Sequence, residues 1–149
     1  MAEIFFYHLV DEPVEKILPG LVKRGLERGI RMAIESASAD RLPKISELLW
    51  AVEDVAFLPH GFGEDAPEHQ PIWLCADPEN PNGATYRFFI DGAMPQTIDG
   101  LERALILFDS NSEDALASAR NEWKKRKVEG HSISYWKQDD NGKWKNQAT

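Results

Sequence analysis

With 149 residues and a net charge of −8, the chain is long enough for one domain that buries roughly two thirds of its unfolded surface. No apolar run approaches the roughly 20 residues that span a bilayer, and Met1-Ala2-Glu3 carries no basic leader, which predicts a cytoplasmic protein without membrane contact. The single cysteine, Cys75, excludes an intrachain disulfide and sits inside the apolar run 72–76, so it reads as a small buried hydrophobe.

In chain order, Glu3 to Val10 is rich in aromatic and β-branched residues and predicts a buried first strand. Val14 to Arg28 places Val14, Ile17, Leu18, Leu21, Val22 and Leu26 at helical spacing. Within it, Pro19-Gly20 predicts a kink or a delayed start, and Gly29 a stop. Arg31 to Ile34 is a second strand, and Ser38-Ala39-Asp40 caps a helix from Leu42 to Val52 with Pro43 in its first turn. Four apolar runs of strand length follow, at Val55–Leu58, Ile72–Cys75, Tyr86–Ile90 and Ala104–Phe108. Gly61–Gln70 and Asp77–Ala84 read as polar loops. Ser110 to Gly130 predicts the clearest helix: Ser110-x-x-Glu113 has capping-box spacing, Lys124 to Lys127 fill the last turn, and Gly130 closes it. His131 to Lys137 alternates like a strand, and Asp140-Asn141-Gly142 is a hairpin turn leading into Lys143-Trp144-Lys145. The alternation of strands and helices predicts an α/β fold, a mostly parallel open sheet with helices on both faces. Residues 1–137 form a single domain, and 138–149 a hairpin or flexible tail.

The charge is asymmetric. Residues 1–119 hold 9 Lys/Arg against 21 Asp/Glu, whereas 120–149 hold 8 against 4. An acidic body argues against strong direct nucleic-acid binding, while the basic end suits a small acidic ligand. The first strand-to-helix loop, Val10-Asp11-Glu12-Pro13, has no glycine and two acids, so it cannot cradle a pyrophosphate. His8, His60, His69 and His131 show no metal-ligand pairing, no G-x-S-x-G elbow occurs, and no cofactor is expected. His60, on a Pro-His-Gly turn, is the best candidate base and the residue a small enzyme would use; a turn or interface role is the other reading.

Two surfaces remain. Leu48, Leu49 and Val52 can serve the core of their helix while Trp50 points elsewhere; with Phe57 it forms an exposed aromatic patch or caps the core. On the last helix, Leu116, Ala119 and Trp123 make an apolar stripe edged by Arg120, Lys124 and Lys127. That combination suits an acidic peptide ending in a hydrophobic residue and a carboxylate; a solvated turn that complements the helix dipole is the alternative.

Phe5-Phe6-Tyr7, Leu48-Leu49-Trp50-Ala51 with Phe57-Leu58-Pro59-His60, and Ala119-Arg120-x-x-Trp123-Lys124 running to Gly130 and Tyr135-Trp136-Lys137 together resemble the chi subunit of bacterial DNA polymerase III. The resemblance implies a non-enzymatic clamp-loader accessory subunit with a nucleotide-binding-like fold and no nucleotide site. It implies binding of the acidic C-terminal tail of single-stranded DNA-binding protein at Arg120, Trp123, Lys124 and Lys127. It further implies that Trp50 and Phe57 meet the psi subunit, on a surface a helicase can also use. Asp109 and Leu116 depart from the pattern at the rim of the tail site. A nucleic-acid-binding module using the basic C-terminal end is the third reading.

Overall fold

A computed structural model describes residues 3–9, 13–50, 60–62, 70–98, 100–109, 112–138 and 143–146, without the side chains of Trp50 and Phe62. Among the described residues, eight strands lie in one sheet: β1 (Glu3–Leu9), β2 (Met32–Ser36), β3 (Gly61–Phe62), β4 (Ile72–Cys75), β5 (Tyr86–Ile90), β6 (Arg103–Asp109), β7 (Ser132–Gln138) and β8 (Trp144–Asn146). Their spatial order is β3-β4-β2-β5-β6-β1-β7-β8. Every pair is parallel except the terminal β7–β8. The helices are α1 (Val14–Glu27), α2 (Leu42–Trp50) and α3 (Glu113–Val128).

Side-chain alternation along the strands divides the core in two. Leu9, Met32, Ile34, Phe88, Leu105 and Leu107 point to the face covered by α1 and α2, through Leu18, Val22, Ile45 and Leu49. Ile4, Phe6, Phe89, Ala104, Ile106 and Phe108 point to the face covered by α3. Helices therefore lie on both faces, as the near-continuous apolar runs predict.

Local differences from the sequence reading have clear causes. Helix α1 starts at Val14 and runs through Pro19, whose ring is buried alongside Leu18 and Val22; that burial offsets the lost backbone bond. Gly29 adopts φ 73° and closes α1 through Ile30 N–H to Gly25 O and Gly29 N–H to Leu26 O, the paired bonds of a Schellman end. The cap of α3 is Ser112 rather than Ser110: its Oγ accepts the Ala115 N–H at 3.2 Å. Gly61–Phe62, read as loop, pairs with β4 as a two-residue strand. The hairpin signal leads into β8, which pairs antiparallel with β7. Residues 51–59, 110–111 and 139–142 fall outside the described set, and with them the Val55–Leu58 strand, Ser110 and the turn at 140–142.

Among the described residues, no helix covers β2 and β4 on the α3 face. The segments 76–84 and 91–98 lie there instead, the first fastened by a buried Arg87 that is 4% exposed. Its Nη2 donates to Glu35 Oε1 at 2.7 Å and to Asp77 O at 2.6 Å, and its Nη1 to Glu79 O at 2.8 Å. Burial pushes the Glu35 carboxyl above its ordinary range, and Arg87 opposes the shift. Cys75 lies beside this pair, and burial pushes its thiol up to about 11, which makes it the inert small hydrophobe expected.

The C-terminal ends of β1, β5 and β6 open into a crevice of about 440 Å³ between the starts of α1 and α3, where open α/β sheets commonly place a ligand. Its floor is apolar, through Leu9, Leu107 and Ala93, and its rim carries Glu15, Asp91, Asp109 and Asp114. Arg41 bridges Glu15 and Asp91, so that cation is already committed to two carboxylates. An acidic rim repels phosphate at the helix N-termini that would otherwise attract it.

Two outcomes follow from this packing. Saturation at 100 times a dissociation constant would stabilise the fold by about 2.7 kcal/mol, so ATP and NAD are expected to leave the melting temperature unchanged in a thermal-shift assay. Arg87→Ala should cost about 3–5 kcal/mol in urea unfolding by stranding Glu35, and adding Glu35→Gln to it should recover part of that loss. A melting shift with nucleotide, or additive effects in the double variant, would contradict these assignments.

Candidate functional site

Helix α3 is weakly amphipathic, and its attachment is partly ionic. Ala119 is 2% exposed against the second core, with Leu116 and Trp123 packed beside it. One turn on, Arg126 is 4% exposed and bonds Glu122, four residues back. Its Nη1 donates to Glu129 Oε1 at 3.0 Å and its Nη2 to Pro95 O at 2.9 Å. A solvated last turn, one of the two readings of Lys124–Lys127, would leave Arg126 exposed. Arg126 is instead the pin between α3 and the segment at 93–98, and nothing in the charge run Lys124–Lys127 distinguishes it. Gly130, at φ 87°, ends the helix through Gly130 N–H to Lys127 O and His131 N–H to Arg126 O, which turns the chain into β7.

This anchoring leaves Arg120, Lys124 and Lys127 exposed on one side of α3. Trp123 is half-buried between the helix and β7, with Lys127 Nζ 4.5 Å from its ring centroid, a cation–π contact. Trp123, Lys127, His131 and Ile133 line a recess of about 200 Å³. His131 Nε2 lies 3.2 Å from Glu129 Oε1. The structure thus joins Trp123 and Lys127 in one recess and sets Arg120 one turn before them on the same helix. Lys124 follows Arg120 on the exposed face.

Beside Arg120 lies an aromatic cluster that the sequence reading did not identify. Tyr135 stacks on Phe6, with centroids 6.3 Å apart, and its hydroxyl is 2.7 Å from His8 Nδ1. The His8 ring lies 4.9 Å from that of Phe108. Burial holds the His8 pKa below its ordinary value, and the cations Lys137 and Arg120 push the same way against Asp109. Burial raises the Tyr135 pKa, with Arg120 opposing. Arg120 lies within electrostatic reach of this pair. The alternation in His131–Lys137 signalled that Ile133 and Tyr135 share a face; no local signal could pair Tyr135 with His8, 127 residues away.

Of the remaining predicted residues, Trp50 is the last residue of α2, and its side chain lies outside the described set, as does all of Phe57. His60 Nε2 is 2.7 Å from the Ser46 hydroxyl. Ser46 is a nearly buried residue inside α2, next to the core residue Ile45, so the bond fastens the segment at 60 to that helix.

His8 makes stability depend on pH. Its folded pKa lies below the unfolded value of about 6.5, so the unfolded chain takes up the proton first and stability falls as pH drops through that value. Melting temperature should decline from pH 7.5 to 5.5, and His8→Gln, which keeps an acceptor near Tyr135, should flatten that decline. Parallel curves for the two proteins would remove His8 from the account.

A search for similar curated proteins finds no match. The family model described as DNA polymerase III chi subunit, HolC, matches residues 1–134, which takes in both cores, α3 and the first residues of β7. The chain belongs to the DNA polymerase III chi subunit family.

Proposed function

We propose that this member of the chi family is a non-catalytic cytoplasmic adaptor that holds the acidic C-terminal tail of single-stranded DNA-binding protein and links it, through psi, to the clamp loader. The observation that carries the reading is the seam between α3 and β7: an exposed Arg120 one turn before a recess formed by Trp123 and Ile133 and edged by Lys127. Such a seam suits a peptide whose last residue is apolar and whose end is a carboxylate. Among the described residues no helix is long and apolar enough to cross a membrane. The Ser46–His60 bond gives the His60-enzyme reading a hydroxyl, but one set on the inner side of a helix.

Magnitudes assign the roles. Burying one phenylalanine contributes roughly 1.5–3 kcal/mol. A charge-assisted bond from Arg120 to the terminal carboxylate adds about 1.5–3. Together these fall short of the roughly 8 kcal/mol of a micromolar complex, so Lys124 and Lys127 supply the remainder by attracting the acids upstream in the tail. That share is screened by salt. Trp50 and Phe57 form the separate surface for psi or a helicase.

Calorimetric titration with a tail peptide ending in acids and phenylalanine tests the site. Arg120→Ala should weaken binding at least about tenfold, equivalent to about 1.4 kcal/mol. Added salt should weaken the wild type, deletion of the terminal phenylalanine should nearly abolish binding, and Phe57→Ala should leave it intact. Wild-type affinity in Arg120→Ala would place the tail elsewhere.

A further inference from the structure

The geometry points to a second binding site, a groove between α1 and the β7–β8 edge that takes a short stretch of single-stranded DNA. The groove has a volume of about 280 Å³ and lies on the sheet face opposite α3. Three aromatic side chains line it, Tyr7, Trp136 and Trp144, with Tyr7 and Trp144 edge to face at 5.2 Å between centroids. Its ionised lining groups are Lys16 and Arg24, both exposed, and neither has an ion-pair partner among the described residues. On a chain of net charge −8, an aromatic groove that is lined, among the described residues, by cations and by no carboxylate is a local reversal of sign.

Gly20 lies between the two cations on α1. Glycine inside a helix costs about 1 kcal/mol relative to alanine, and a close neighbour usually explains it. Gly25 has such a neighbour, since a Cβ there would stand 2.5 Å from Met32 Sδ. A Cβ on Gly20 would meet nothing within 4 Å. The missing side chain leaves the groove open at its middle.

Stacking surfaces with cations along them, and few groups to read base edges, are what sequence-tolerant binding of single strands requires. Lys16 and Arg24 are about 12 Å apart along the helix axis, a spacing that tracks a backbone rather than a single anion. Membership of a DNA polymerase assembly makes the strand DNA. Trp144 comes from β8, beyond the family-matched residues 1–134, so the groove is completed by the antiparallel β7–β8 pair.

Fluorescence anisotropy of a labelled oligothymidylate with the full-length protein tests the groove. Two neutralised phosphates give a salt slope of about −1.4, so affinity should fall roughly sevenfold from about 50 to 200 mM salt. Trp144→Ala should weaken binding about fivefold or more. The double variant Lys16→Ala/Arg24→Ala should lose most of the salt dependence. Gly20→Leu should block the groove with no drop in melting temperature, which separates occlusion from unfolding. Arg120→Ala should bind the oligonucleotide normally, so failure here is distinct from failure of the tail site. The assignment is overturned if no binding occurs at low salt, if Gly20→Leu binds like wild type, if Arg120→Ala abolishes binding, or if polyglutamate competes as well as unlabelled oligothymidylate.

Discussion

Two-sided burial of the central parallel strands is the constraint on which the rest of this structure depends. Strand β1 lies between β6 and β7, and its residues divide alternately: Ile4 and Phe6 enter the α3 core, while Phe5, Tyr7 and Leu9 face the α1 side. A parallel sheet buried in this way must be covered on both faces, because water cannot be left against either apolar surface. The positions of α1, α2 and α3 follow, and with them the orientation of each exposed helix face.

Where apolar cover runs short, buried arginines replace it. Arg126 holds α3 to the segment at 93–98, and Arg87 gathers the carbonyls at 77 and 79 over β2 and β5. Buried ion pairs of this kind add little net stability relative to well-packed apolar residues, yet removing one partner is costly. Their effect is positional. Because α3 buries little apolar surface of its own, the Arg126 bonds set where Arg120, Lys124 and Trp123 are presented.

The two faces of the C-terminal part of the sheet carry related chemistry. On one, Arg120 and the Trp123 recess adjoin Tyr135; on the other, Trp136 and Trp144 adjoin Lys16 and Arg24. Strand periodicity of two is the reason, since Tyr135 and Trp136 are neighbours in sequence and must face opposite sides. Aromatic rings beside cations on a chain that is otherwise acidic concentrate attraction for anionic partners locally, which screening at physiological salt keeps local. The acidic crevice at the strand ends has the opposite character. An open α/β sheet thus carries acids at the strand ends, where phosphate chemistry would call for cations.

By itself the sequence determined what local pattern can determine. The strands Ile72–Cys75 and Tyr86–Ile90 lie where their apolar runs end, β1 follows its expected run over the described residues, β6 extends one residue past its run at each end, and the α/β class follows from the alternation of elements. The stripe of Leu116, Ala119 and Trp123 and its edge of cations were legible because helical spacing places them on neighbouring rows. Tertiary structure alone decided the strand order, the burial of Arg126 among its solvated neighbours, and the pairings of Glu35 with Arg87 and His8 with Tyr135. It alone brought Tyr7 to Trp144 across 137 residues. Periodicity specifies which face of an element is apolar, but which element meets that face depends on contacts between residues far apart in the chain, and those exist only once the sheet has assembled.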